Sequence, residues 1–190
     1  MANEWYAQDM SRVKSNPQVM LRPQDVVVLL RLSLHAERAP TYALLARELK
    51  LTASEIHAGV ERAVTAQLAR KNENGQPVVL IEPLRMFIEH GVRYCFPATH
   101  GAMTRGIPTA HAAPPLQSML ASSTEPIPVW PHKAGMVRGA CFHPLYPTVP
   151  DAAMGNPALY ELLALVDAVR GGNKRERALA ISELNKRWAL

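Results

Sequence analysis

The sequence predicts a mainly α chain with one small β-wing, an irregular proline-rich middle and a helical hairpin at the C-terminus. Three observations predict this. Helical apolar periodicity runs through the first half, Asn74-Gly75 interrupts it with a hairpin signal, and ten of the 16 prolines fall between Pro97 and Pro150. Proline in that density reads as chain without regular structure, so the expected parts are an N-terminal arm (1–19), a compact unit (20–96), an extended segment (97–150) and a C-terminal hairpin (151–190).

The first helix starts at Pro23, whose missing N–H would lack an intrahelical partner there anyway, and is expected to reach Ala36 with Val26, Val27, Leu30 and Leu34 in the core. Thr41 caps a short second helix that presents Leu44, Leu45 and Leu49. The third has the strongest start. In Thr52 to Glu55, TASE, the threonine hydroxyl accepts from the glutamate amide while the glutamate carboxylate returns to the threonine amide. Ile56, Val60, Val64 and Leu68 then form a buried stripe, which leaves Ser54, His57, Ala58, Glu61, Arg62 and Thr65 facing outward.

The Asn74-Gly75 turn joins expected strands near Ala69–Asn72 and Val78–Ile81. EPLRMFIEHG follows as a short helix with Leu84, Phe87 and Ile88 on one side, and VRYCF reads as a strand. Three helices and a hairpin in this order predict a winged helix-turn-helix domain.

LARELKLTASEIHAGVERAVTAQLARK and the hairpin after it resemble bacterial winged helix-turn-helix regulators of the broad MarR-like kind, over about residues 23–82. The resemblance implies a regulator of transcription bound to double-stranded DNA. Ser54, His57, Ala58 and Arg62 would face the bases, and Arg70 and Lys71 in the wing would meet phosphates. Two residues depart from the pattern: Lys50 stands where such turns often use glycine, and Gly59 stands where an apolar anchor is common. The first requires a left-handed lysine and the second implies close helix approach.

In the middle segment, Trp130, Met136, Phe142, Leu145 and Tyr146 read as anchors for docking on the chain's own core or on a partner. YCFPATHGAMTRGIPTAHAAPP is similar to segments that follow the winged helix in antitoxins or regulators paired with nucleotidyltransferase toxins. That similarity implies a protein partner encoded nearby, contacted through Arg105 and its surroundings. If the segment is a separate gripping arm, deleting residues 97–150 leaves the first unit folded.

His100, His111, His132, Cys141 and His143 are ligand types, but their spacing matches no closed zinc pattern, so no metal and no cofactor is expected. With no activated nucleophile and no glycine-rich phosphate loop, no catalytic residue is expected either. Asn156-Pro157 caps a helix with the stripe Leu159, Leu162, Leu163, Val166 and Val169, and NKRE caps a second that carries Ala180, Ile181, Leu184 and Trp188. That stripe must be covered by the first unit or by a second copy, which predicts a homodimer. The turn between these helices concentrates Arg170, Lys174, Arg175 and Arg177, with Arg175 and Arg177 as candidate contacts to an acidic partner.

The net charge of +5, at a pI of about 9.5, suits an acidic partner, but no segment is a basic tail. Val26 to Leu30, an apolar run that no other exceeds, is far short of the roughly 20 residues that cross a bilayer, and the N-terminus lacks an apolar signal core, so a cytoplasmic protein is expected.

Overall fold

A computed structural model describes residues 20–34, 39–120 and 126–188; the N-terminal arm and the expected end of the first helix at Ala36 lie outside the described residues. The chain is mixed α/β, with more helix than strand. Its first unit contains α1 (Pro23–Ser33), α2 (Tyr42–Leu49), α3 (Ala53–Thr65), the hairpin β1 (Ala69–Lys71) and β2 (Pro77–Val79), and then α4 (Ile81–His90) and α5 (Val92–Cys95). The stretch VRYCF read as a strand is therefore a correction, because it forms α5. Gly91 does not stop the chain in a left-handed cap; it sits in helical conformation (φ −109°, ψ −42°) and passes α4 directly into the next turn.

The expected starts hold in atomic detail. The Thr41 side chain accepts from the Leu44 amide. At α3 the Glu55 amide donates to Thr52 Oγ1 (3.2 Å) and the Thr52 amide donates to Glu55 Oε2 (2.8 Å), closing a reciprocal box. Lys50 takes the left-handed conformation (φ 55°, ψ 41°), and the Leu51 amide donates to Ala46 O across the turn.

The middle segment corrects the sequence reading most. It is not irregular: β3 (His100–Pro108), β4 (Pro128–Pro131) and β5 (Val137–Phe142) close into a three-stranded barrel. β3 runs antiparallel to both others, which pair with each other in parallel. Pro108, Pro128 and Pro131 stand at strand ends, where a missing N–H interrupts no ladder, so proline here marks boundaries. Gly106 is where β3 leaves β5 for β4. A Cβ there would fall 2.0 Å from Trp130 O, so only glycine permits the crossing.

The chain ends in α6 (Val149–Gly155), α7 (Pro157–Gly171) and α8 (Lys174–Trp188). Both expected caps are present, Asn156 Oδ1 accepting from the Leu159 amide and Asn173 Oδ1 from the Glu176 amide. The sequence showed one apolar stripe on α7, but all of Leu162 to Arg170 is buried. A helix buried all round is a central pillar. It packs on α1, α4, α5, α6 and α8 of its own chain, so the stripe that predicted a homodimer is covered from within.

Asp167 and Arg170 are the polar exceptions on that pillar. Asp167 accepts from Trp130 Nε1 (2.6 Å), Thr109 Oγ1 (2.9 Å) and Arg170 Nη1 (2.5 Å), while Arg170 also donates to the carbonyls of Phe96 and Pro97. Burial pushes the Asp167 carboxyl up from its ordinary value, against the pull of the Arg170 charge and the donors around it. The network ties the start of the middle segment and the β-barrel to α7. Trp130, Phe142 and Leu145 are core residues, so deleting residues 97–150 removes part of the core rather than a separate arm.

Candidate nucleic-acid interface

Leu45 and Leu49 on α2 and Ile56 on α3 are fully buried, which leaves the N-terminal half of α3 projecting from the core. Ser54 and His57 are exposed there and Ala58 is half-buried. These three residues share the outer face, as the periodicity predicted.

Arg62 does not join them, which is a correction. Its side chain is only 15% exposed and grips the fully buried Asp25 of α1 at two points, Nε to Oδ2 (2.7 Å) and Nη2 to Oδ1 (2.6 Å). The Asp25 carboxylate also accepts from the Arg22 amide at 2.8 Å. Gly59 explains how the carboxylate fits, since a Cβ there would lie 2.9 Å from Asp25 Oδ1. The glycine that departs from the expected pattern thus makes room for an ion pair that the pattern lacks. Arg62 is a structural clamp between α1 and α3, and its hydrogen bonds to Asp25 hold its guanidinium pKa above the ordinary value.

The hairpin lies along the same outer face. Asn72 Oδ1 accepts from the amides of Asn74 and Gln76, and Gly75 turns at φ 73°, so the tip is rigidly specified. Arg70 and Lys71 on β1 are exposed. Lys71 Nζ reaches Glu61 Oε1 at 2.5 Å, and the same oxygen lies 3.6 Å from His57 Nε2. Glu61 therefore stitches the helix face to the hairpin. Lys71 holds the Glu61 carboxyl below its ordinary value, and Glu61 raises Lys71 in return.

Between α2, α3 and the hairpin lies a cleft of about 290 Å³, bordered by Thr41, Tyr42, His57, Lys71 and Gln76. Tyr42 meets the His57 ring edge-on at 5.8 Å, and burial, opposed by Lys71, raises its phenol pKa. Sequence reasoning missed Tyr42 and Gln76. Tyr42 was legible as the residue after the Thr41 cap, but nothing local revealed that the hairpin folds back over it.

The remaining candidates disperse. Trp130 is fully buried with its indole N–H on Asp167, so of the two surfaces expected for this anchor it docks on the chain's own core, and its assignment as a partner contact is corrected. Arg105 is exposed on β3. Arg175 is exposed beside the α8 cap, and the half-buried Arg177 points Nη1 at Gly172 O (3.4 Å). The histidines find separate neighbours: His111 pairs with Glu176, His132 with Asp151, and His100 packs edge-on against Phe142. Cys141 Sγ lies 3.8 Å from His143 Nε2, and among the described residues no three such side chains converge as a metal-ligand set. Among the described residues, no helix is long and apolar enough to cross a membrane.

No family model, curated protein or solved structure matches this chain.

Proposed function

We propose that α1–α3 and the β1–β2 hairpin form a winged helix-turn-helix that binds double-stranded DNA as a regulator of transcription, with the start of α3 in the major groove and the hairpin along the backbone. The observation that carries this reading is the continuity of the two elements. The exposed Ser54 and His57 lie on one side of Glu61 and the cationic β1 strand on the other, held together by the Lys71–Glu61 pair. Ser54 and His57 supply hydrogen-bonding groups suited to base edges, Ala58 allows close approach, and Arg70 and Lys71 supply phosphate contacts. Arg62 positions α3 and reads nothing.

Titrating a labelled duplex against rising salt tests the proposal. Binding should weaken linearly on a log–log plot, with a slope set by the phosphates neutralised. A folded protein that binds no duplex at low salt would sink it.

A second reading, a protein-binding module with the same unit as scaffold, is supported by Glu61. Its carboxylate stands at the centre of the outer face, where it repels phosphate and occupies Lys71. Binding of a protein product encoded nearby, with no duplex binding, would favour it over the first.

A further inference from the structure

The β-barrel carries a cluster that neither α3 nor the hairpin uses. Arg105 on β3 and Arg138 on β5 stand directly opposite in the antiparallel register, so both guanidinium groups leave the same face. Like charges in that position weaken a ladder, yet both residues are exposed and neither has an ion-pair partner among the described residues. The β4–β5 turn folds back onto them. The His132 amide donates to Arg105 O at 3.3 Å, and Gly135 lies so close to Gly106 that a Cβ would be 2.3 Å from its carbonyl carbon.

That fold-back brings Lys133 and Met136 beside the arginine pair. Arg105, Lys133 and Arg138 are the only Lys or Arg residues between positions 97 and 150; Arg105 and Arg138 pair across the ladder, and Lys133 lies in the turn bonded to Arg105 through the His132 amide. Met136 is 90% exposed, and Met103, two residues before Arg105 on the same strand, is 47% exposed.

We propose that this end of the β3–β5 ladder docks an acidic segment of a partner protein, its carboxylates seated on Arg105 and Arg138 and an apolar side chain covering Met136. Charge complementarity sets the sign of the occupant, and the methionines set its class. A phosphate backbone would use the arginines and leave the thioethers in water, whereas Arg together with Met is the composition enriched at protein–protein interfaces. The inference is independent of the DNA reading, because it uses no residue of α3 or the hairpin.

Fluorescence anisotropy of the full chain tests it with a labelled synthetic peptide of alternating Glu and Leu, a control with Gln in place of Glu, and a duplex DNA. The Glu peptide should bind about tenfold more tightly than the Gln control, and the double variant Arg105→Glu with Arg138→Glu should remove that advantage, as expected for close charge pairs. Met136→Ala should weaken the Glu peptide severalfold, with circular dichroism unchanged. The milder double change to Gln serves if the Glu double variant fails to fold. Equal affinity for the two peptides, or no effect of either double variant, overturns the proposal. So does a double variant that loses only duplex affinity, which would make nucleic acid the occupant.

Discussion

Arg62 of α3 and Asp25 of α1 form a two-point ion pair, with a fully buried carboxylate and both donor contacts at 2.7 Å or less. The pair fixes the angle at which α3 leaves the core, so it bears on the outer face without being part of it. Removing one partner strands a buried charge, and Arg62→Ala should cost roughly 3–5 kcal/mol in urea unfolding. Its effect on duplex binding should be the same for every DNA sequence. A variant of unchanged stability with altered sequence preference would return Arg62 to the bases.

Gly59→Ala should be destabilising although alanine is the better helix former, because the added methyl meets Asp25 Oδ1 at 2.9 Å. In a double-mutant cycle with Asp25→Ala the penalty should shrink, since the carboxylate that it strikes is then gone. Equal penalties in both backgrounds would show that the glycine serves something else.

Glu61→Gln should strengthen duplex binding, because it removes the carboxylate that repels phosphate beside Lys71. As the Glu61–Lys71 pair is exposed and screened by solvent, stability should barely change. Weaker duplex binding would mean that Glu61 organises the face more than it repels DNA.

The capping box makes a pH prediction. The Thr52 backbone amide, and then its hydroxyl, lower the Glu55 carboxyl below its ordinary value. A depressed carboxylate contributes stability above the unfolded-state value, so the difference between the wild type and Glu55→Gln should begin to shrink below the ordinary glutamate value of about 4.3 and be lost as pH falls through the lower folded one. Thermal unfolding of the two proteins from neutral to acid pH measures it. A constant difference would mean that the charge of Glu55 is not what caps α3.

How much of this was legible follows from where the signals are local. Thr41, Thr52-Glu55, Asn74-Gly75, Asn156 and Asn173 each announce a cap or a turn within four residues, and all five stand where the sequence placed them. The β-barrel was not legible because its strands lack alternation. β3 is exposed over most of its length, and the pairs that close the barrel join residues as distant as His100 and Phe142. The density of its prolines resembles irregular chain, whereas the positions of Pro108, Pro128 and Pro131 mark strand ends. Arg62 was misplaced for a related reason: helical spacing puts it outward, and only its partner 37 positions earlier draws it in.

A duplex bound by the α3 face and the hairpin together would be held in part by the phosphate contacts of Arg70 and Lys71. The most direct measurement is the salt dependence of duplex affinity for the wild type and for the double variant Arg70→Ala with Lys71→Ala. Binding by the wild type should be steeply salt-dependent, with a log–log slope about two units shallower for the variant. Identical slopes, or no duplex binding by the folded wild type at low salt, would contradict it.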